Sequence, residues 1–284
     1  MASELTRRVA VSAVGIPLAI LILYVGGWVL ALVLAAIAAA GAIEFYRLAR
    51  QRNVRPFAVA GALLAALPVL LTMTTADPET WAWRVFVAAA LLISAAAIFA
   101  RGVGGAPLTV MAVTVFAALF TGGTLMYAMQ LRLMPVPSAN IESPWVGTAL
   151  LAFPLTLTWM GDTLAYFGGR AFGRRKLIPS VSPAKTVEGA LSGVIGATIV
   201  GALYAHFIFG AWLGVPLGAG LGALIGLVVS PIAQIGDLVE SLLKREAGVK
   251  DSGTLLPGHG GVLDRFDALF FSIPVTYWLL TLVL

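Results

Sequence analysis

The chain has 284 residues, 60% of them hydrophobic and 11% charged, with no cysteine and a formal net charge of +5. A soluble domain carries about 25% charged residues, so this composition excludes a soluble globular protein and identifies an integral membrane protein. The missing cysteine excludes a disulfide framework, Cys-ligated zinc and a thiol nucleophile.

A first apolar run follows Arg7 and Arg8, in the manner of a signal peptide. A second run follows at once, so the pair reads as two spans joined by a Gly26-Gly27 turn. A bilayer-crossing helix needs about 20 mostly apolar residues. Nine such segments can be drawn, at about 9–26, 28–48, 57–75, 83–100, 108–130, 145–168, 187–209, 213–243 and 263–284. No alternating barrel pattern is present, so helices are the spanning element. The expected fold is therefore all-α: a polytopic membrane protein of about nine transmembrane helices. It reads as a single membrane domain, with residues 1–144 as scaffold and dimerisation surface and 145–284 as the catalytic half.

With nine spans the loops alternate sides. The side that holds the N-terminus then receives Arg7, Arg8, Arg47, Arg50, Arg52, Arg55, Arg101, Arg170, Arg174, Arg175, Lys176, Lys185, Lys244, Arg245, Lys250 and Arg265, which is 16 of the 18 Lys and Arg. Only Arg84 and Arg132 fall opposite. Cytoplasmic loops carry the positive excess, so the N-terminus is expected in the cytoplasm and the net charge needs no nucleic-acid partner.

Several features read as packing. Pro231, inside the eighth span, predicts a kink near Ser230. Gly214, Gly218, Gly222 and Gly226 recur every four residues and predict a groove where another helix approaches closely. His206 reads as a packed or hydrogen-bonded helix histidine, and Glu44 as an interfacial ion pair with Arg47 at i+3.

Two polar stretches hold the remaining chemistry, residues 161–189 and 236–267, both on the predicted cytoplasmic side. Each begins with an acid near the end of a span, Asp162 in the first and Asp237 in the second. Glu240, Ser241 and Lys244 follow Asp237 at i+3, i+4 and i+7 and share its helix face. An acid at membrane depth is costly and marks a functional site by default. Asp264 and Asp267 stand at the mouth of the last span, where they either cap the helix or serve a site. His259-Gly260-Gly261 forms a tight turn whose backbone N–H groups suit an anion. Carboxylates beside Lys244, Arg245, Lys250, Arg265, Arg170, Lys176 and Lys185 make the outfit for a metal–polyphosphate substrate. Lys185-Thr186 lacks P-loop spacing. Tyr166, one turn beyond Asp162, either hydrogen-bonds to it or meets substrate.

Residues 241–267, "SLLKREAGVKDSGTLLPGHGGVLDRFD", resemble the signature of the phosphatidate cytidylyltransferases, or CDP-diacylglycerol synthases, of bacterial type. Ser241, Lys244-Arg245, Lys250-Asp251, His259-Gly260-Gly261 and Asp264-Arg265-Phe266-Asp267 all stand where that pattern wants them. Asp162, Ala165-Tyr166, Gly169-Arg170, Ser182-Pro183, Lys185-Thr186 and Glu188-Gly189 are similar to a second block of the family. The resemblance implies transfer of a cytidylyl group from CTP to phosphatidic acid, at the cytoplasmic face of a bacterial inner membrane, by a homodimer. It implies Mg²⁺, with room for a second cation, on Asp237 and Asp264, and Lys250 and Asp251 beside them as catalytic residues. The substrate-binding set it implies is Asp162, Tyr166, Arg170, Lys176, Ser182, Lys185, Thr186, Ser241, Lys244, Arg245, His259, Gly260, Gly261, Arg265 and Asp267.

The chemistry fits without the resemblance. A lipid phosphate attacks the α-phosphorus of a soluble triphosphate in line, and the protein's task is positioning and charge neutralisation. Two rivals stand beside this reading. A CTP-dependent polyprenol or dolichol kinase would transfer the γ-phosphoryl group to an alcohol. An anion transporter would use intramembrane acids and a broken helix, but an inverted repeat is not visible.

Overall fold

Gly26 and Gly27 both take positive φ, 61° and 52°, a region open to glycine without steric cost. They break the chain between helical residues 17–25 and helix α1 (Gly27–Gln51), at the expected Gly26-Gly27 turn. The computed structural model describes residues 15, 17–136, 144–253 and 260–284. Beyond α1 these form α2 (Ala58–Leu71), α3 (Pro78–Ala100), α4 (Pro107–Leu133), α5 (Pro144–Phe172), strands β1 (Lys176–Ile178) and β2 (Ser182–Thr186), α6 (Val187–Trp212), α7 (Ala219–Ala247) and α8 (Leu269–Val283). A short turn of helix, Leu263–Phe266, precedes α8. The all-α expectation holds apart from one antiparallel hairpin, with Lys176 opposite Thr186 and Ile178 opposite Ser182.

Six helices among the described residues are long and apolar enough to cross a membrane: Gly27–Gln51, Pro78–Ala100, Pro107–Leu133, Val187–Trp212, Ala219–Ala247 and Leu263–Val283. α2 is apolar but has 14 residues. Of the first expected span, about 9–26, residues 15 and 17–26 are described and the rest lies outside the described residues. Side chains such as Val59, Leu92 and Phe99 stand exposed on these helices, as an acyl-chain solvent permits and water would not. The protein is an integral membrane protein.

The chain divides into two units, Met1–Met129 with Asp251–Asp264, and Gln130–Lys250 with Arg265–Leu284. In the first, an alanine-rich stripe of α1 (Ala31, Ala35, Ala38, Ala42) is buried, which lets helices approach closely. Tyr46 on α1 donates to the Thr114 carbonyl of α4 at 2.7 Å, and Gly61 of α2 leaves the space its ring occupies. A π-helical turn at Leu119–Gly123 sets Gly122 against the Ala65 carbonyl, where no side chain would fit. Asp77 caps α3 by accepting from the Thr80 N–H at 3.2 Å, with Pro78 as its first residue, so α3 starts before the expected residue 83. Arg101 lies over the Phe57 ring and donates to the Arg55 carbonyl at 2.8 Å.

In the second unit, Phe153, Tyr204 and Phe209 cluster with ring centroids 5.0–5.1 Å apart. Thr158 donates to Ser272 at 3.0 Å. Interhelical hydrogen bonds in membranes average only about 0.6 kcal/mol, so close backbone approach carries more of the packing. The glycine groove supplies it in part. A Cβ on Gly222 or Gly226 would strike the carbonyls of Gly201 or Ala197, so the helix that enters the groove is α6. Gly218 and Gly214 precede α7 instead and contribute nothing to the groove. The expected eighth span thus begins at Ala219 rather than 213, after a π-helical end to α6 at Ala205–Trp212. α7 runs unbroken through Pro231. His206 is exposed against Phe207 (4.7 Å) and is not a packed histidine.

Candidate active site

Helices α5 and α6 meet through small residues. A Cβ on Gly193 would lie 3.0 Å from both the Ala165 Cβ and the Gly161 carbonyl, and one on Gly189 would lie 2.8 Å from the Ala165 carbonyl. This crossing brings one stripe of α5 (Asp162, Tyr166 and Arg170, spaced i, i+4, i+8) beside the start of α6. Thr186 caps α6, its hydroxyl accepting from the Gly189 N–H at 3.1 Å. Glu188 in the first turn accepts from the N–H groups of Arg174 and Arg175 at 3.0 and 3.1 Å and pairs with the Arg175 guanidinium at 3.5 Å. The hairpin is thereby tied to the helix it precedes, and its Lys185 donates to Asp237 on α7.

These elements enclose a cavity of about 490 Å³, within the usual range for ligand pockets, about 300–1,000 Å³. Asp162, Tyr166, Arg170, Lys185, Thr186, Gln234 and Asp237 supply its polar lining, with Gly169 and Gly189 at the helix crossing. Six of those seven are residues the sequence singles out. Gln234 is the one it misses. Its amide donates to the Ala190 carbonyl at 3.2 Å, and its position one turn before Asp237 in an apolar helix was the available signal.

The structure sorts the remaining expectations. Tyr166 accepts from the Arg170 guanidinium at 3.2 Å and does not bond to Asp162. The predicted face of α7 resolves into two i, i+4 pairs: the Ser241 hydroxyl 3.5 Å from Asp237, and Lys244 2.5 Å from buried Glu240. Lys244 is thus held by Glu240. Asp267 places its carbonyl against Gly236, where an added Cβ would lie 2.7 Å away, and its carboxylate accepts from the Ala268 N–H at 2.6 Å. Lys176, Arg245, Lys250, Asp251 and Arg265 are exposed, and Ser182 pairs in the hairpin. His259 lies outside the described residues.

Asp264 belongs to the first unit, and its surroundings there are distinct. Its Oδ2 accepts from the Ser252 N–H at 2.9 Å, the Ser252 hydroxyl at 2.8 Å and the Gly261 N–H at 2.8 Å. Gly260 takes φ 80° to allow this turn. The Gly261 amide that the sequence offers to an anion therefore faces the chain's own carboxylate. Glu44 corrects another expectation. It is 1% exposed and bonds Ser252 and Leu263, at 3.1 and 2.9 Å, in place of Arg47.

Two carboxylates, Asp162 and Asp237, at a pocket that also holds Lys185 and Arg170 suit a membrane protein that handles a phosphate-bearing ligand. The profile of the cytidylyltransferase family matches residues 6–283. The chain is 34% identical over 299 residues to the phosphatidate cytidylyltransferase of Synechocystis sp., across 98% of this chain and 97% of that one. It is 37% identical over 207 residues to the phosphatidate cytidylyltransferase of Brucella abortus, across 69% and 71% of the two chains. Against that of Bacillus subtilis it is 40% identical over 166 residues, across 58% and 56%. The chain belongs to the cytidylyltransferase family.

Proposed function

We propose that this protein transfers the cytidylyl group of CTP to phosphatidic acid, forming CDP-diacylglycerol and pyrophosphate. The observation that carries the reading is the cavity in which Asp162 and Asp237 face Lys185 and Arg170, in a chain of the cytidylyltransferase family. A phosphate oxygen of phosphatidic acid forms a bond to the α-phosphorus of CTP. The bond between that phosphorus and the α–β bridging oxygen breaks, and pyrophosphate leaves with the electron pair. A phosphate monoester is largely ionised near neutral pH, its second pKa being about 6, so no general base is required. Lys185 and Arg170 bind phosphate oxygens, and Tyr166 fixes the Arg170 guanidinium by accepting its hydrogen bond.

The donor set suits Mg²⁺. Hard carboxylate oxygens fit it, and it takes one or two of them together with substrate phosphate oxygens. The family resemblance assigns this role to Asp237 and Asp264, and Asp162 lines the same pocket as Asp237. When bound, the ion neutralises the triphosphate and polarises its α-phosphate. We further propose nine spans, a cytoplasmic N-terminus and site, a bacterial inner-membrane location and a homodimer. The support is the charge asymmetry of the loops and the family resemblance.

The test is an assay of purified protein in detergent with phosphatidic acid, CTP and Mg²⁺. CDP-diacylglycerol and pyrophosphate are the expected products. CDP with a phosphorylated lipid alcohol, formed only when an alcohol acceptor is added, would replace this reading with a kinase. No consumption of CTP with either acceptor would replace it with an anion transporter.

A further inference from the structure

Glu44 lies on α1, 208 residues before Ser252 and 219 before Leu263, and holds both. Its Oε2 accepts from the Leu263 N–H and lies within hydrogen-bond distance of the Ser252 hydroxyl. Its Oε1 is buried without a hydrogen-bond partner among the described residues. A Cβ on Gly253 or Gly261 would run into this carboxyl group, so the chain on either side of the signature turn is folded directly around it. Ser252 is itself 5% exposed, and its hydroxyl lies 2.8 Å from Asp264 as well as 3.1 Å from Glu44. A serine has one hydroxyl proton. Ser252 therefore couples the two carboxylates, because a shift of either one changes what it offers the other.

An acid buried this deeply in a membrane protein is costly, and a leucine or alanine on α1 would pack without that cost. Among the described residues, the hydrogen-bond partners of Glu44 belong to the segment carrying Asp264. We propose that Glu44 is a positioning residue for cytidylyl transfer: from α1 it fixes Ser252, Gly261 and Leu263 around Asp264 and so orients the Asp264 carboxylate. This rests on the function proposed above. It gives the first unit a direct part in the reaction.

The experiment compares wild type, Glu44→Ala, Glu44→Gln and Ser252→Ala as full-length proteins in detergent. It reads kcat, the KM for CTP, melting temperature, and hydrogen exchange of peptides spanning 260–263. Glu44→Ala is expected to lower kcat by about tenfold or more, the usual effect of losing a residue that orients a ligand, with the KM for CTP little changed and exchange at Gly261 and Leu263 faster. Glu44→Gln is expected to restore most of kcat, because the amide oxygen accepts both bonds and its NH₂ takes the place of the unpartnered Oε1. Ser252→Ala is expected to lower kcat at an unchanged melting temperature. If Glu44→Ala does not fold, Ser252→Ala and Glu44→Gln decide the matter. Wild-type kcat in Ser252→Ala, or a Glu44→Gln protein that folds and is as inactive as Glu44→Ala, overturns the proposal. Failure of wild type to make CDP-diacylglycerol would instead remove the underlying function, and the exchange data would still read the anchor itself.

Discussion

Lys185, on a two-stranded hairpin, donates to Asp237, 52 residues further along on α7. Both are about one-third exposed at the pocket wall, so the pair is poised for exchange with ligand. Anionic phosphate competes for Lys185, and releasing it frees Asp237. Lys185→Ala is expected to lower kcat/KM for CTP by about 10²-fold, the size of effect seen when one preorganised charge partner is removed. Lys185→Arg should not fully restore it, because a guanidinium is larger and forked. Steady-state kinetics at varied CTP would check both, and an unaffected Lys185→Ala would exclude this lysine from the site.

Asp237→Asn should abolish turnover, by about 10²-fold or more, while the protein stays folded. The same holds for Asp264→Asn, whose amide oxygen can keep the hydrogen bonds that Oδ2 now accepts while the negative charge is lost. Chelation of Mg²⁺ should stop wild-type activity and re-addition restore it. Near-normal activity in Asp264→Asn would refute its role.

The α6–α7 contact depends on absent side chains. Gly226→Leu drives a side chain into the Ala197 carbonyl, and overpacking of this kind typically costs about 1–3 kcal/mol. Gly218→Ala meets nothing within 4 Å and should be neutral. Thermal melts in detergent would separate the two. Equal melting temperatures for Gly226→Leu and wild type would mean that these helices do not pack as described.

Because the chain has no cysteine, single cysteines report topology without background. Ser180→Cys, in the hairpin turn, is expected to resist a membrane-impermeant thiol reagent in intact cells and to react after permeabilisation. Ala76→Cys, in the turn before α3, should react in intact cells. The reverse pattern would invert the proposed orientation.

Much of the site was readable from residue type and spacing. Asp162, Tyr166 and Arg170 stand one turn apart, and charges in an apolar helix are conspicuous because each is costly there. Lys244 pairs with Glu240 four residues before it, a neighbour that helical spacing shows. Pairing between helices was not readable. Glu44 was assigned to Arg47, the nearest cation in sequence, and instead bonds a segment more than 200 residues away. Local spacing ranks neighbours on one helix and has no access to partners on another.

The sequence by itself determined that this is a helical membrane protein, where its long apolar segments lie, and that acids and cations gather in two stretches. Composition and period suffice for that, because the bilayer imposes length and hydropathy on each helix separately. Only the tertiary structure decided that the glycine groove of α7 receives α6, that a hairpin delivers Lys185 to Asp237, and that α1 holds the turn around Asp264. Those outcomes depend on which backbones approach closely enough to exclude a Cβ and on which donors then face a buried carboxylate. Both are properties of helix crossings, not of any one segment.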